Sequence, residues 1–280
     1  MLRIVMDGAG DLPPEWIDTY EIDIIPINIH FGQRTFLQGI DLSNADFYRM
    51  AEESGTIPQT AQPSPQQFVD FYKQIANPGE TILSIHVTSK LSGTFESAEI
   101  AAKEVGEAYR VIPVDSLSGS AAMGYMCREA RLMDRKNASL ETILERLDFI
   151  RKNITILLTL NTLEYARRSG RVKALQAALA SLLNVKPVVA LKDGVLDMAD
   201  RVRTRHRALE YVVEAAYQRV ADRAVNAAVV QAEDPEASEM LMEMVRAKLN
   251  CNNLIMTELS ISVAANLGPG TVGIVAYPVE

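Results

Sequence analysis

Short apolar runs recur along the chain, and each breaks into a loop of small and hydroxyl-bearing residues before a helix-like stretch. Leu2–Met6 runs into Asp7-Gly8-Ala9-Gly10-Asp11. Ile82–Val87 breaks into Thr88-Ser89-Lys90-Leu91-Ser92-Gly93 and then Thr94-Phe95-Glu96-Ser97-Ala98. Arg110–Val114 is followed by Asp115-Ser116-Leu117-Ser118-Gly119-Ser120 and a small-residue helix from Ala121 through Leu132. Apolar runs without alternation suit buried strands, and strand–loop–helix order predicts a parallel sheet with sites at its carboxyl ends. Between these units, Ile24–Phe36 alternates around Gly32-Gln33 and predicts a β-hairpin. Ser43 and Asp46 have capping-box spacing, and Ser64, Pro65 and Gln67 are a strong helix start. Ser139 caps an amphipathic helix with Leu140, Ile143, Leu144, Leu147 and Ile150 on one face.

Beyond Asn153 the pattern changes. Ile154–Leu160 is an apolar strand, followed by Thr162–Arg171 and an Ala/Leu-rich segment to Leu183. Val188–Leu191 and Val195–Met198 flank Lys192-Asp193-Gly194, a hairpin signal. Arg201, Arg203 and Arg205 alternate, which puts them on one side of an extended segment. A helix over 206–221, a strand over 227–232, a helix over 236–249 and a strand over 254–259 follow. Asn266-Leu267-Gly268-Pro269-Gly270 then reads as a loop into a terminal strand. The expectation is two α/β domains, 1–152 and 153–280, with a mainly parallel sheet in the first and a mixed sheet in the second.

Composition narrows the function classes. A chain of 280 residues buries enough surface to need no disulfide or metal, and Cys127 and Cys251 make no framework. A formal charge of −8 argues against broad nucleic-acid binding. The N-terminal stretch turns polar too early for a signal peptide, and no apolar run reaches membrane-spanning length, so a cytoplasmic protein without membrane insertion is expected.

Candidate chemistry is sparse. Ser92 precedes a helix start, where unpaired N–H groups and the helix dipole favour an anion; by itself, it reads better as a cap of its own helix. Thr60 sits between Pro58 and Pro63 in extended chain, which offers a stiff loop with a hydroxyl. Asp7 and Asp11 suit an Asx turn and a cap better than a magnesium site. His30 reads as structural, and His86, on an apolar strand, as core. Ser92 lacks the Gly-x-Ser-x-Gly elbow, and there is no Walker-type loop. Hydroxyl loops without catalytic groups suit holding a ligand, with no cofactor.

Several of these stretches in order resemble the DegV family: Asp7-Gly8-Ala9-Gly10-Asp11-Leu12, Thr60-Ala61-Gln62-Pro63-Ser64-Pro65, Leu91-Ser92-Gly93-Thr94, Val114-Asp115-Ser116, Ser169-Gly170-Arg171-Val172, Val202-Arg203-Thr204 and Gly268-Pro269-Gly270. The resemblance implies two α/β domains with a long-chain fatty acid buried between them. It implies that Thr60 and Ser92 bind the carboxylate, with Ala61, Gly93 and Asn266 close by, and that Arg171 and Arg203 lie near the lipid head or a docking surface. It further implies a non-enzymatic carrier that presents the acid to a partner fatty acid kinase of the dihydroxyacetone-kinase type. Two positions depart from the family pattern: Asn266-Leu267 stands where His-Thr is usual, and Gly8 where Ser is common. Asn can donate to a carboxylate but cannot carry charge or relay a proton. Alternatives therefore remain: a lipid-binding relative that serves no kinase, or a metal-dependent phosphoryl-transfer enzyme using Asp7 and Asp11.

Overall fold

The protein is described by a computed structural model over residues 2–171 and 185–280. From Val172 through Leu183, the Ala/Leu-rich segment lies outside the described residues. The chain divides into two compact units, Met1–Arg151 with Ser260–Ser262, and Lys152–Leu259 with Val263–Glu280.

The first unit holds seven strands: β1 (Leu2–Asp7), β2 (Ile22–Ile25), β3 (Asn28–Phe31), β4 (Arg34–Leu37), β5 (Gln59–Ala61), β6 (Thr81–His86) and β7 (Arg110–Asp115). Four of them form a parallel sheet in the order β2-β1-β6-β7. Ile4, Val5 and Met6 on β1 and Ile82, Leu83 and Ile85 on β6 are fully buried, as unalternating apolar runs require in a parallel sheet. One face is closed by helices Pro65–Ile75 and Thr94–Glu104, whose Phe68, Val69, Tyr72, Ala98 and Ala101 cluster with Val5 and Ile82. Helix Ala121–Asp134 packs on β1 and approaches the loop after it so closely that a Cβ at Gly124 would meet the Asp11 carbonyl oxygen at 2.4 Å.

The expected hairpin is shorter than its alternation suggests. Ile24 and Ile25 belong to β2, and the hairpin is β3–β4, turning at Gly32 with φ +58°. Pro26 separates the two because it has no N–H to donate to a ladder. The Ser64 capping box is complete, with both reciprocal bonds, whereas Ser43 accepts from the Asp46 N–H without the return bond.

The second unit is built on a six-stranded mixed sheet, β8 (Thr155–Thr159), β9 (Lys186–Lys192), β10 (Val195–Val202), β11 (Val225–Gln231), β12 (Cys251–Glu258) and β13 (Val272–Pro278), in the order β10-β9-β8-β13-β11-β12. Only the β11–β12 pairing is parallel. Asp193 and Gly194 turn the β9–β10 hairpin at φ +50° and +81°, the positive values a two-residue hairpin turn demands. Helices Arg205–Val220 and Pro235–Lys248 bury Leu209, Val212, Ala216, Leu241 and Val245 against Val188, Ala227, Val229 and Ile274.

Two sequence expectations are corrected here. Arg205 does not share an extended side with Arg201 and Arg203: β10 stops at Val202, Thr204 caps, and Arg205 opens the helix. Asn266 and Leu267 close a short helix, Ile261–Leu267, ahead of the Gly/Pro loop.

Candidate functional site

In the parallel sheet, the chain leaves β1 toward β2 on one side and leaves β6 toward β7 on the other. The order reverses between β1 and β6, and the crevice beyond the carboxyl ends of such strands is where open α/β sheets take ligands. Three loops emerge there: the glycine-containing 8–13 after β1, and the hydroxyl-rich 87–93 after β6 and 116–120 after β7.

Asp7 joins the first two. Its Oδ1 accepts the Ala9 N–H at 2.8 Å, which is the Asx turn the sequence suggests. Its Oδ2 accepts the Val87 N–H at 2.8 Å and lies 3.2 Å from His86 Nδ1. His86 Nε2 is 2.8 Å from Ser84 Oγ, which accepts the Tyr72 hydroxyl proton at 2.9 Å. All four side chains are fully buried. His86 is thus a core residue as expected, although its carboxylate partner, seventy-nine positions away, has no local sequence signal. The Ser84–His86–Asp7 line has the contacts of a hydrolase triad, but Ser84 is covered by Tyr72 and reaches no solvent.

Asp11 has a different role from the cap suggested by its position, since Pro13 precedes helix Pro14–Thr19 and no side chain caps it. The Asp11 carboxylate accepts the Ser120 hydroxyl and the Ser260 N–H, the latter at 2.8 Å. Burial pushes its pKa up to about 6, against the lowering effect of those hydrogen bonds. Gln38 fills the place beside Gly8: its Nε2 donates to the Gly8 carbonyl at 2.6 Å and its Oε1 accepts the Ser262 N–H at 3.0 Å. A Cβ on residue 8 would meet Gln38 Nε2 at 2.9 Å. Asp7 is engaged by two main-chain amides and the His86 imidazole, and Asp11 by a hydroxyl and a main-chain amide. Among the described residues, no group of three His, Cys, Asp or Glu side chains is placed to hold a metal ion.

The Thr88–Ser92 loop folds back on itself, with the Thr88 carbonyl accepting from the N–H groups of Leu91 and Ser92 at 3.1 and 3.2 Å. Asp115 at the end of β7 fixes it from outside through the Ser89 hydroxyl at 2.6 Å and the Ser89 N–H at 3.2 Å. Ser92 Oγ lies 2.8 Å from Thr94 Oγ1 and accepts the Thr94 N–H at 3.3 Å, so it does satisfy one donor of its own helix. Ser92, Gly93 and Thr60 are half-buried. Thr60 and Ala61 lie on β5, where Thr60 pairs with Ile29, and the Thr60 hydroxyl takes no hydrogen bond among the described residues. Gln62 follows directly and packs onto Gly93, where a Cβ would meet its Nε2 at 2.4 Å. The loops bearing Thr60 and Ser92, thirty-two positions apart, therefore lie side by side, and Gly93 is what lets them approach. Gly93→Ala is expected to push the Gln62 amide aside and change stability by no more than about 1 kcal/mol in urea denaturation, because only the end of an exposed side chain must move. A larger loss would mean that the Gln62 contact is a structural one.

In the second unit, Asn266 is half-buried at the end of its short helix. Gly268 and Gly270 adopt φ +87° and +77°, and a Cβ at either would strike Tyr165 or Asn161. Arg205, which its alternation with Arg201 and Arg203 places on one side of an extended segment, instead holds this turn: its Nη2 donates to the Gly270 carbonyl at 2.7 Å and to Asp234 at 2.6 Å. Arg171 is half-buried, donates to the Ser169 carbonyl at 3.1 Å, and has its pKa lowered by desolvation. Arg203 is exposed.

The model of the DegV family, described as an uncharacterised protein of that family, matches residues 1–279, and the chain belongs to this family. It is 30% identical over 286 aligned positions to a DegV domain-containing protein of Deinococcus radiodurans, covering 100% of this chain and 99% of that one. Its fold is similar to a fatty-acid-binding DegV family protein of Thermus thermophilus, with a TM-score of 0.91, 29% identity and 99% of both chains covered. It also shares the fold of the fatty acid kinase B3 protein of Streptococcus pneumoniae, solved with linoleic acid, at a TM-score of 0.86, 16% identity and 100% of both chains. No described helix is long and apolar enough to cross a membrane.

Proposed function

We propose that this chain is a cytoplasmic carrier of a long-chain fatty acid, with the Thr60 and Ser92 hydroxyls on the carboxylate and Ala61 and Gly93 lining the headgroup. The observation that carries the reading is the apposition of Gln62 and Gly93, which brings the Thr60 and Ser92 loops together at the switch point of the parallel sheet. The similar Thermus thermophilus protein, whose structure is titled for fatty acid binding, supports the ligand class. A carboxylate leaving water must be hydrogen-bonded, and charge-assisted bonds contribute about 1.5–3 kcal/mol each. The acyl tail supplies most of the affinity, at about 0.8 kcal/mol per buried methylene.

Native mass spectrometry of the purified protein is expected to show a bound mass equal to a fatty acid; failure of the delipidated protein to take up any C14–C18 acid would overturn the reading. Replacing Thr60 and Ser92 together with alanine is expected to weaken palmitate binding by about a hundredfold to ten-thousandfold, two lost charge-assisted bonds' worth. Unchanged affinity would remove both residues from the site.

In the same reading, Asn266 lies near the headgroup, Arg171 and Arg203 face a docking partner, and that partner is a fatty acid kinase of the dihydroxyacetone-kinase type. The fold shared with a fatty acid kinase B3 protein supports a partner of this kind. Asn266 favours a second reading, a lipid binder without a kinase, since its amide cannot relay a proton. Reconstitution with the kinase subunit and labelled ATP separates the two: acyl phosphate supports the carrier, and its absence with lipid still bound supports the second.

A further inference from the structure

The six-stranded sheet of the second unit ends in two edge strands, β10 and β12, and they are built differently. An edge strand offers a row of main-chain donors and acceptors to any other chain, and proteins that keep such an edge to themselves blunt it with charges, bulges or a covering element. β10 is blunted twice: it carries Asp197, Asp200 and Arg201, and its ladder to β9 is interrupted between Met198 and Asp200. β12 has neither device along most of its length. From Cys251 to Thr257 it holds no charged residue, no proline and no glycine, and its one irregularity lies ahead of Asn253. Its main neighbours among the described residues are β11, on one side, and helix Pro235–Lys248, on one face. Leu254 packs against the core beneath that helix, and Met256 Sδ lies 3.7 Å from Ser238 Oγ, so both point to the helix face. Alternation puts Asn253, Ile255 and Thr257 on the other face. Met256 remains exposed.

We propose that β12 pairs antiparallel with β12 of a second copy of this chain, about a two-fold axis at Ile255. Two identical antiparallel strands set residues of the same face opposite each other only when the axis passes through a residue. An axis at Leu254 would set Asn253 against Ile255, and one at Met256 would set Leu254 against Glu258. The axis at Ile255 matches every pair: Leu254 with Met256, Asn253 with Thr257, and Ile255 with itself. Apolar side chains meet apolar ones and polar meet polar, the cross-strand pairing that stabilises a sheet. Glu258, the one charge of β12, falls outside the paired run. The segment is complementary to itself, and that selects another copy of this chain as the occupant over a peptide of different pattern.

Sedimentation velocity of the full chain between about 1 and 200 µM is expected to show monomer giving way to dimer. Ile255→Lys sets two ammonium groups face to face on the axis, and Ile255→Glu two carboxylates; each is expected to weaken the dimer about tenfold. An equimolar mixture of the two variants is expected to dimerise again, because residue 255 of one copy meets residue 255 of the other. That recovery also shows that both variants fold. Ile255→Cys in a Cys251→Ser background tests the register without a charge: cross-strand Cβ atoms lie about 4.5–5.5 Å apart, close enough for added oxidant to link the copies through a disulfide. A parent chain that stays monomeric over the whole range overturns the proposal. So does a dimer that both charged variants leave intact, or one in which the cysteine at 255 forms no link.

Discussion

Replacing Asp7 with alanine is expected to destabilise the first unit by about 3–5 kcal/mol, the cost of removing one partner from a buried hydrogen-bonded charge. The carboxylate serves three donors at once, the Ala9 and Val87 N–H groups and His86 Nδ1. Alanine leaves those donors without their carboxylate partner at a fully buried position. Asp7→Asn is expected to cost less, about 1–3 kcal/mol, because its carbonyl oxygen still accepts while its N–H₂ faces another donor. The two variants should differ in urea midpoint at equal m-value. Palmitate binding should weaken in both, since the Val87 amide is the first hinge of the loop that carries Ser92. Equal stability of Asp7→Ala and the parent would mean that those amides find other partners and that the carboxylate does not join the two loops.

The same residue illustrates what the sequence carries and what it withholds. The Asx turn at Asp7 is local, set by a side chain reaching two residues on, and is legible from Asp7-Gly8-Ala9 alone. Its bonds to Val87 and His86 span eighty positions and depend on β1 and β6 being neighbours, which only the folded sheet decides. Helix starts are readable for the same reason as the turn: Ser43, Ser64 and Ser139 cap within three residues of themselves. Arg205 went wrong because its alternation with Arg203 spans a strand-to-helix boundary, where spacing by two no longer fixes a side. Thr60 and Ser92 were legible as candidates through their loops and the family resemblance, but their proximity depends on Gly93 admitting Gln62, a contact no local pattern encodes.

Between about pH 4 and pH 6 the protein is expected to lose stability as pH rises through the titration of Asp11, and Asp11→Asn is expected to remove that component. The carboxyl is fully buried, and desolvation raises its pKa to about 6, from 3.8 in an unperturbed chain. Between those values the folded state binds a proton that the unfolded state has released, so stability falls with pH. A group shifted upward contributes fully below the unfolded value and loses that contribution as the pH passes the folded one; here this amounts to on the order of 2–3 kcal/mol. Both protonation states keep the surrounding structure, because the Ser120 hydroxyl that donates to the carboxylate can rotate to accept from the neutral acid. The Ser260 N–H has an oxygen to donate to in either case, and in Asp11→Asn as well. The difference in unfolding free energy between Asp11→Asn and the parent should therefore move in favour of the variant from pH 4 to pH 7.5 and level off above about pH 7. Parallel profiles across that range would place the Asp11 pKa near its ordinary value and require that water reach a side chain whose residue is 3% exposed.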